Sequence, residues 1–306
     1  MPSLQANGIT LEYESLGNPA DPAIVLVMGL GVQMILWPDA FCETLAAKGF
    51  RVIRFDNRDV GLSSSLDHLG TPRIAIAYLL HMLHLPVKAP YRIDDMARDT
   101  VAFVEALGLA RAHLVGASMG GMIVQNAAAL FPARVASVTS IMSTTGNRKL
   151  PPPTSQAMRA LMQPPAKPGD VQAAARRLAN VLQAIGSKTY PEDPAELLAF
   201  CERHAARAHN PPGQARQLIA IAASGDRSDV IRRIKAPTLV IHGDEDPLLR
   251  PECGADTARV IREAGGDVTL EIVHGMGHDL PTQLLQHITE LIANHCRRAE
   301  TPLRSP

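Results

Sequence analysis

The chain has 306 residues, of which 46% are apolar and 20% are charged, a composition typical of a globular protein with a substantial buried core. Its 30 basic residues balance its 30 acidic residues, so no overall charge draws it to nucleic acid or to an anionic membrane. The spacing of its four cysteines excludes a disulfide framework and a zinc site, since no C-x-x-C occurs among Cys42, Cys201, Cys253 and Cys296.

Two features of the sequence favour a cytoplasmic location. The scattered cysteines fit a reducing compartment, and residues 1–8 have neither the basic leader nor the apolar run of a secretory signal. The longest apolar stretch, 74–85, is shorter than the ~20 residues that a membrane span needs. We therefore expect a cytoplasmic protein with no membrane span and no nucleic-acid partner, and the sequence leaves open whether it is a monomer or a dimer.

Short apolar runs bounded by turn residues predict strands, and the hairpin turn Asn7-Gly8 joins the first two. The predicted strands cover 3–6, 9–15, 24–28, 51–56, 135–142, 237–242 and 268–273, together with an apolar run that begins at Ala112. Apolar residues at helical spacing predict helices between most of these strands. The predicted helices cover 38–48, 74–85, 93–107, 122–130, 252–264 and 282–295.

The segment 144–233 differs in character because it has no clear strand and has three consecutive prolines at 151–153. Residues 171–185 and 194–208 have helical patterns. We interpret this segment as a helical cap inserted after the sixth strand, with 1–143 and 234–306 forming the core.

Strands that alternate with helices predict an α/β fold with a doubly wound, mainly parallel sheet. In such sheets, ligands bind beyond the carboxyl ends of the strands. The candidate functional residues all follow predicted strands, so we expect them at this edge of the sheet.

The sequence Gly116-Ala117-Ser118-Met119-Gly120 lies where a predicted strand turns into a helix. This G-x-S-x-G pattern predicts a nucleophile elbow, a sharp turn that exposes the serine hydroxyl. The glycines leave the turn free of β-carbons, and the helix N-terminus favours negative charge near Ser118. The alternative interpretation of the pattern alone is a glycine-bearing turn with an idle serine.

A serine nucleophile needs a base to accept its proton and an acid to orient that base. Strand 237–242 is followed by the candidate acids Asp244, Glu245 and Asp246, and strand 268–273 is followed by the candidate bases His274 and His278. The two glycines between the histidines allow a loop that carries His278 back over the elbow. For His274 and His242, structural roles at strand ends are favoured.

Taken in order, these motifs resemble the α/β-hydrolase-fold serine hydrolases, closest to bacterial carboxylesterases related to the aclacinomycin methylesterases. The resemblance covers residues ~3–142 and ~236–295. It implies Asp246 as the catalytic acid, three residues after Gly243, and it leaves turn hydrogen bonding to Asp244 and Glu245.

An oxyanion hole completes this type of site, formed by backbone N–H groups after the nucleophile and after the third strand. By position these belong to Met119 and Leu30, while Gly29 and Gly31 would let the backbone approach a substrate. Relatives often have His-Gly where this chain has Met28-Gly29, which removes a side chain that braces this loop.

These residues predict a serine carboxylesterase acting on short- to medium-chain esters through an acyl-enzyme on Ser118, without a metal or organic cofactor. The expected partner is a small-molecule ester. The same three residues could instead serve a lactonase, a C–C hydrolase, a perhydrolase or an acyltransferase. The alternative outside the enzymes is a ligand receptor that has the same fold but does not turn over its ligand.

Overall fold

A computed structural model describes residues 2–83, 85–167 and 169–300. Its strands are β1 (Ser3–Ala6), β2 (Ile9–Leu16), β3 (Ala23–Val27), β4 (Arg51–Phe55), β5 (Ala112–Ala117), β6 (Val135–Ile141), β7 (Thr238–Gly243) and β8 (Val268–Val273). They form one eight-stranded sheet in the order β1-β2-β4-β3-β5-β6-β7-β8. Strand β2 is antiparallel to both of its neighbours, and every other pairing is parallel. The predicted mainly parallel α/β sheet is confirmed.

The helices follow the strands in the alternation that the sequence predicts. They are α1 (Asp39–Ala47), α2 (Ile74–Met82), α3 (Ile93–Ala106), α4 (Met119–Leu130), α5 (Ser155–Leu161), α6 (Val171–Ile185), α7 (Pro194–Arg207), α8 (Pro211–Ser224), α9 (Ser228–Ile231), α10 (Pro251–Glu263) and α11 (Leu285–Glu300). Helix α4 begins at Met119, three residues before its predicted start, because the elbow turns directly into the helix.

Helices cover both faces of the sheet. One face packs against α3, α4 and α10 through residues such as Val104, Ile123 and Val260. The other face packs against α1 and α11 through residues such as Phe41 and Ile288. The central strands β3 and β5 are buried along their whole length, as expected for strands covered on both sides.

Helices α5 to α9 lie between β6 and β7, where the sequence predicts the cap. Helices α5, α6 and α7 share two small apolar clusters of their own. Helix α8 (Pro211–Ser224) is absent from the sequence prediction because its Pro-Pro-Gly start resembles a loop. The prolines fill the first turn, where no N–H partner is needed, and Asn210 Oδ1 caps the helix by accepting from Gly213 N at 3.0 Å.

Buried ion pairs attach this helical segment to the core. The Arg216 guanidinium of α8 contacts the Asp59 carboxylate at 2.7 Å, and both side chains are fully buried. Arg207 at the end of α7 contacts Asp56 at 2.7 Å. Because both acids follow β4, the segment is held over the carboxyl edge of the sheet.

All four cysteines are free thiols with buried side chains. Within the described residues, no helix is both long and apolar enough to cross a bilayer.

Candidate active site

Ser118 occupies the sharp turn between β5 and α4. Its backbone angles are φ 57° and ψ −119°, a conformation that non-glycine residues rarely adopt and that persists only where the surroundings hold it. Two contacts hold it here, since Ser118 N donates to Ile141 O at 2.9 Å and Ser143 Oγ donates to Ser118 O at 2.8 Å. The result is a partly exposed serine hydroxyl at the carboxyl edge of the sheet.

The glycines on either side of Ser118 are required by close backbone contacts. A β-carbon on Gly116 would lie 2.2 Å from Gly120 O, and one on Gly120 would lie 1.9 Å from Val27 O. Any side chain at these positions would therefore force the turn apart. This accounts for the G-x-S-x-G pattern on steric grounds.

The structure brings His278 and Asp246 to Ser118, although the three residues lie far apart in the sequence. His278 Nε2 is 3.0 Å from Ser118 Oγ, and His278 Nδ1 is 2.7 Å from Asp246 Oδ2. A histidine with its proton on Nδ1 donates to Asp246, which leaves Nε2 free to accept the serine proton.

Asp246 is fully buried and anchored from several directions. Its Oδ1 accepts from Leu248 N at 2.8 Å and from Leu249 N at 2.9 Å. Burial alone would raise the pKa of this carboxyl. The charge on His278, with hydrogen bonds from His242 and His278, outweighs burial and holds the pKa well below its ordinary value. The acid is therefore a carboxylate at neutral pH.

The remaining candidates have structural contacts. Asp244 accepts from Gly275 N at 2.7 Å and lies 2.8 Å from His274 Nδ1, so this acid and this histidine pair with each other at the surface. Glu245 accepts from Thr189 Oγ1 at 2.6 Å. His242 is buried, with Nε2 2.6 Å from Leu249 O and 3.4 Å from Asp246 Oδ2.

Leu30 and Met119 were the candidates for an oxyanion hole. Among the described residues, the backbone N–H groups of Leu30 and Met119 donate to no other group. Met119 is the first residue of α4, where the helix dipole favours negative charge. A β-carbon on Gly29 would lie 3.2 Å from Ser118 Cβ, so Gly29 packs directly against Ser118.

The loop after β3 is braced by side chains that no sequence motif indicates. Asn57 Nδ2 donates to Met28 O at 2.9 Å. Gly31 N donates to Gln217 Oε1 at 2.7 Å, and Gln217 Nε2 donates to Arg58 O at 2.8 Å. These bonds hold the loop that contains Met28 and Gly31 in place. Asn57 lies in the turn that follows β4, whereas Gln217 lies on a helix without a sequence signal.

Gly31 faces helix α8. A β-carbon at Gly31 would lie 2.6 Å from Gln214 Cγ, so the missing side chain makes room for α8. The side chain of Gln214 occupies the space beside Gly31, and the approach of the Gly31 backbone to a substrate stays a prediction.

A second group of contacts links the histidine loop to the segment after α6. His278 N donates to Ile185 O at 2.8 Å, and Gly277 N donates to Ser187 Oγ at 2.7 Å. Ser187 Oγ also donates to Asp279 Oδ1 at 2.5 Å. A β-carbon on Gly277 would lie 2.5 Å from the backbone of 186–187, which explains the second glycine of this loop.

A family model described as the alpha/beta hydrolase fold matches residues 22–280. The chain belongs to the α/β-hydrolase family. The resemblance drawn from the ordered motifs is thus confirmed. Among its curated relatives is rhodomycin D methylesterase DauP of Streptomyces sp. (strain C5), which is 27% identical over 329 residues and covers 95% of this chain and 96% of that protein.

This α/β-hydrolase is also similar to a protein named as a lactonase and to a solved structure named as an esterase. The 3-oxoadipate enol-lactonase 2 of Acinetobacter baylyi is 28% identical over 246 residues, covering 80% of this chain and 79% of that protein. A solved thermophilic esterase from Thermogutta terrifontis superposes with a TM-score of 0.69 at 20% identity, covering 98% of this chain and 99% of that one. At this identity, the structural likeness shows the fold alone.

Proposed function

We propose that this α/β-hydrolase is a serine carboxylesterase that cleaves short- to medium-chain carboxylic esters. The observation that carries the proposal is the continuous hydrogen-bonded path from Ser118 Oγ through His278 to Asp246, at 3.0 and 2.7 Å. The similarity to a methylesterase over almost the whole chain supports the same reaction class.

In the first half of the reaction, Ser118 Oγ attacks the ester carbonyl carbon while His278 Nε2 accepts its proton. The carbonyl oxygen becomes an oxyanion that accepts from the N–H groups of Leu30 and Met119. The carboxylate of Asp246 stabilises the imidazolium. The carbon–oxygen bond to the alcohol then breaks, the alcohol leaves with the proton from His278, and the acyl group stays on Ser118.

In the second half, His278 takes a proton from a water molecule, which attacks the acyl carbon. The oxyanion forms again at the same two N–H groups, and its collapse returns the proton to Ser118 Oγ and releases the carboxylic acid. Every proton moves through one imidazole, so the proposed reaction requires neither a metal nor an organic cofactor.

We propose that the cap, residues 144–233, roofs Ser118 and selects the substrate. Helices α5 to α7, which share apolar clusters of their own, span 155–207, while Arg227 near the cap's end is buried against α4 and donates to Gln125 Oε1 at 3.0 Å. This arrangement supports a cap that is anchored at its boundaries. The contacts of α8 with the loop after β3 support a role of the cap in shaping the site.

A series of p-nitrophenyl esters from acetate to dodecanoate tests the proposed reaction. We expect multiple turnovers with release of the carboxylic acid, fastest for short or medium acyl chains. Adding a second alcohol distinguishes an acyltransferase, which would form the transferred ester in place of the acid. Release of a single equivalent of p-nitrophenol, without further turnover, would contradict an esterase and favour a receptor.

We propose that Gln217 is a positioning residue for the loop after β3, which carries the N–H of Leu30. Replacing it by leucine removes the bonds to Gly31 N and Arg58 O and lets the N–H of Leu30 shift. Because a displacement of about 1 Å can cost about 100-fold in rate, we expect kcat to fall by about 10- to 100-fold with a small change in KM. Steady-state kinetics on the preferred p-nitrophenyl ester measures kcat and KM separately.

The matched control for Gln217 is Ser224→Ala. Ser224 is also on α8, and its hydroxyl accepts from Ile93 N at 3.1 Å, so the control removes another hydrogen bond between this helix and the core. We expect its kcat to stay within about 3-fold of wild type, since a single hydrogen bond contributes only about 1 kcal/mol to stability. Equal losses of kcat in both variants would show that the loss comes from weaker packing of α8 on the core and not from a shift of the Leu30 N–H.

A lactonase is the second candidate, favoured by the curated relative named an enol-lactonase. A lactone is a cyclic ester, so attack by Ser118 and release by water proceed as above, except that the alcohol stays attached to the acyl group. Measuring kcat/KM for simple γ- and δ-lactones beside the open-chain esters decides between the two activities. A strong preference for lactones would replace the esterase proposal.

A further inference from the structure

The described residues expose large apolar side chains mainly in one stretch of the chain. Seven of the eleven such residues fall within 62–85, namely Leu62, Leu69, Ile74, Ile76, Leu79, Leu83 and Leu85. Concentrated exposure of this kind marks an interaction surface more often than scattered apolar residues do.

Helix α2 and the residue that follows it, Leu83, provide the centre of this surface. Ile76, Leu79 and Leu83 are 48%, 57% and 58% exposed, and their spacing of three and four residues places them in one stripe. The opposite side of α2 packs on α8, where Ala77 and Ile219 are buried together. The helix is therefore anchored on one side and presents an apolar stripe on the other.

The charged residues that flank this stripe along the chain are basic. No acidic residue occurs between Asp67 and Asp94, although the net charge of the whole chain is zero. Arg73, Lys88 and Arg92 lie in the same interval, and all three are exposed. Binding at a membrane interface combines apolar side chains that enter the headgroup boundary with basic residues attracted to anionic lipids, and this stretch supplies both.

We propose that the stripe of Ile76, Leu79 and Leu83, with the flanking basic residues, docks on an anionic lipid surface. The apolar side chains enter the headgroup boundary, and Arg73 and Lys88 pair with lipid phosphates. A second copy of the chain fits less well, because a two-fold contact through this surface would bring like charges together. This docking does not depend on the proposed esterase reaction.

The position of the surface gives the docking a consequence for the site. The helix that supports α2 is α8, which also carries Gln217 and Gln214 against the loop after β3. A chain docked through α2 would therefore hold the cap close to the lipid, where apolar esters concentrate.

Vesicle flotation tests the docking. The probes are vesicles of phosphatidylcholine alone and of an equimolar mixture with phosphatidylglycerol, at low and high salt. We expect the wild-type chain to bind the anionic vesicles and to dissociate as salt screens the charges. Leu79→Ser/Leu83→Ser should weaken binding about tenfold or more, since it exchanges two apolar side chains for polar ones. Arg73→Glu/Lys88→Glu should weaken it by at least about tenfold, and only on the anionic vesicles.

The control variant is Ile272→Ser, which replaces an aliphatic side chain that is 46% exposed on β8 and lies outside residues 62–85. It should bind as the wild type does. Failure of the wild type to bind, equal binding to both vesicles, or an equal loss in the control would overturn the proposal. So would a dimer in light scattering that Leu79→Ser/Leu83→Ser converts to a monomer. If Leu79→Ser/Leu83→Ser melts at a lower temperature than the wild type, Arg73→Glu/Lys88→Glu still tests the docking.

Discussion

Replacing Ser118 by alanine is expected to lower kcat on the preferred ester by about 10⁴- to 10⁶-fold. The variant keeps the buried His278–Asp246 pair and the two N–H groups proposed to hold the oxyanion, but it has no oxygen to attack the carbonyl. A residual rate about 10³-fold above water should remain, because the oxyanion donors and substrate binding survive. Single-turnover and steady-state assays of ester cleavage measure both quantities.

The double variant Ser118→Ala/His278→Ala should be no slower than Ser118→Ala alone, because a base without a nucleophile has nothing to activate. Ser137→Ala on β6 serves as the control. Its hydroxyl lies 2.9 Å from His113 Nδ1 within the sheet, away from the candidate site, so its kcat should match wild type. Retention of ester turnover by Ser118→Ala would refute the acyl-enzyme mechanism.

Replacing Asp246 by asparagine is expected to lower kcat by about 10³- to 10⁴-fold without unfolding the protein. The amide oxygen can still accept from the N–H groups of Leu248 and Leu249. The amide nitrogen then faces His278 Nδ1 and donates to it, which moves the histidine proton to Nε2. In that tautomer, His278 cannot accept the proton of Ser118. Kinetics and thermal melting of the purified variant measure the two effects separately.

Asp244→Asn is the matched control, since this acid lies two residues away in the same loop but pairs with the exposed His274. Surface ion pairs of this kind contribute about 1 kcal/mol or less, so its kcat should stay within about 3-fold of wild type. Equal losses in the two variants would show that the loop, and not the tautomer of His278, controls the rate.

The sequence predicted most of the elements that build the candidate site. The elbow could be located because Gly116 and Gly120 are required by contacts within a few residues and with the neighbouring strand. The choice of His278 over His274 rested on the glycines between them. In the structure, only His278 approaches Ser118, while His274 is exposed beside Asp244.

Other features could not be predicted because no local pattern encodes them. Gln217 contacts the loop after β3 from a helix 186 residues further along the chain, and that helix begins with residues typical of a loop. How closely a substrate can approach the backbone at Gly31 depends on which helix packs beside it, and the sequence does not give that packing. The exposure of Leu79 and Leu83 is likewise invisible in the sequence, where an apolar helix looks the same whether buried or exposed.

The sequence by itself determined the family, the order of strands and helices, and the residues able to form a nucleophile, a base and an acid. Steric limits on the backbone and the spacing of apolar residues involve residues that are close in the chain, so they produce patterns that can be recognised in the sequence. Only the tertiary structure decided which side chains meet, because strand order and the packing of the cap bring together residues that are remote in the chain. The hydrogen-bonded path from Ser118 through His278 to Asp246 and the hydrogen bond from Gly31 to Gln217 exist only in that arrangement.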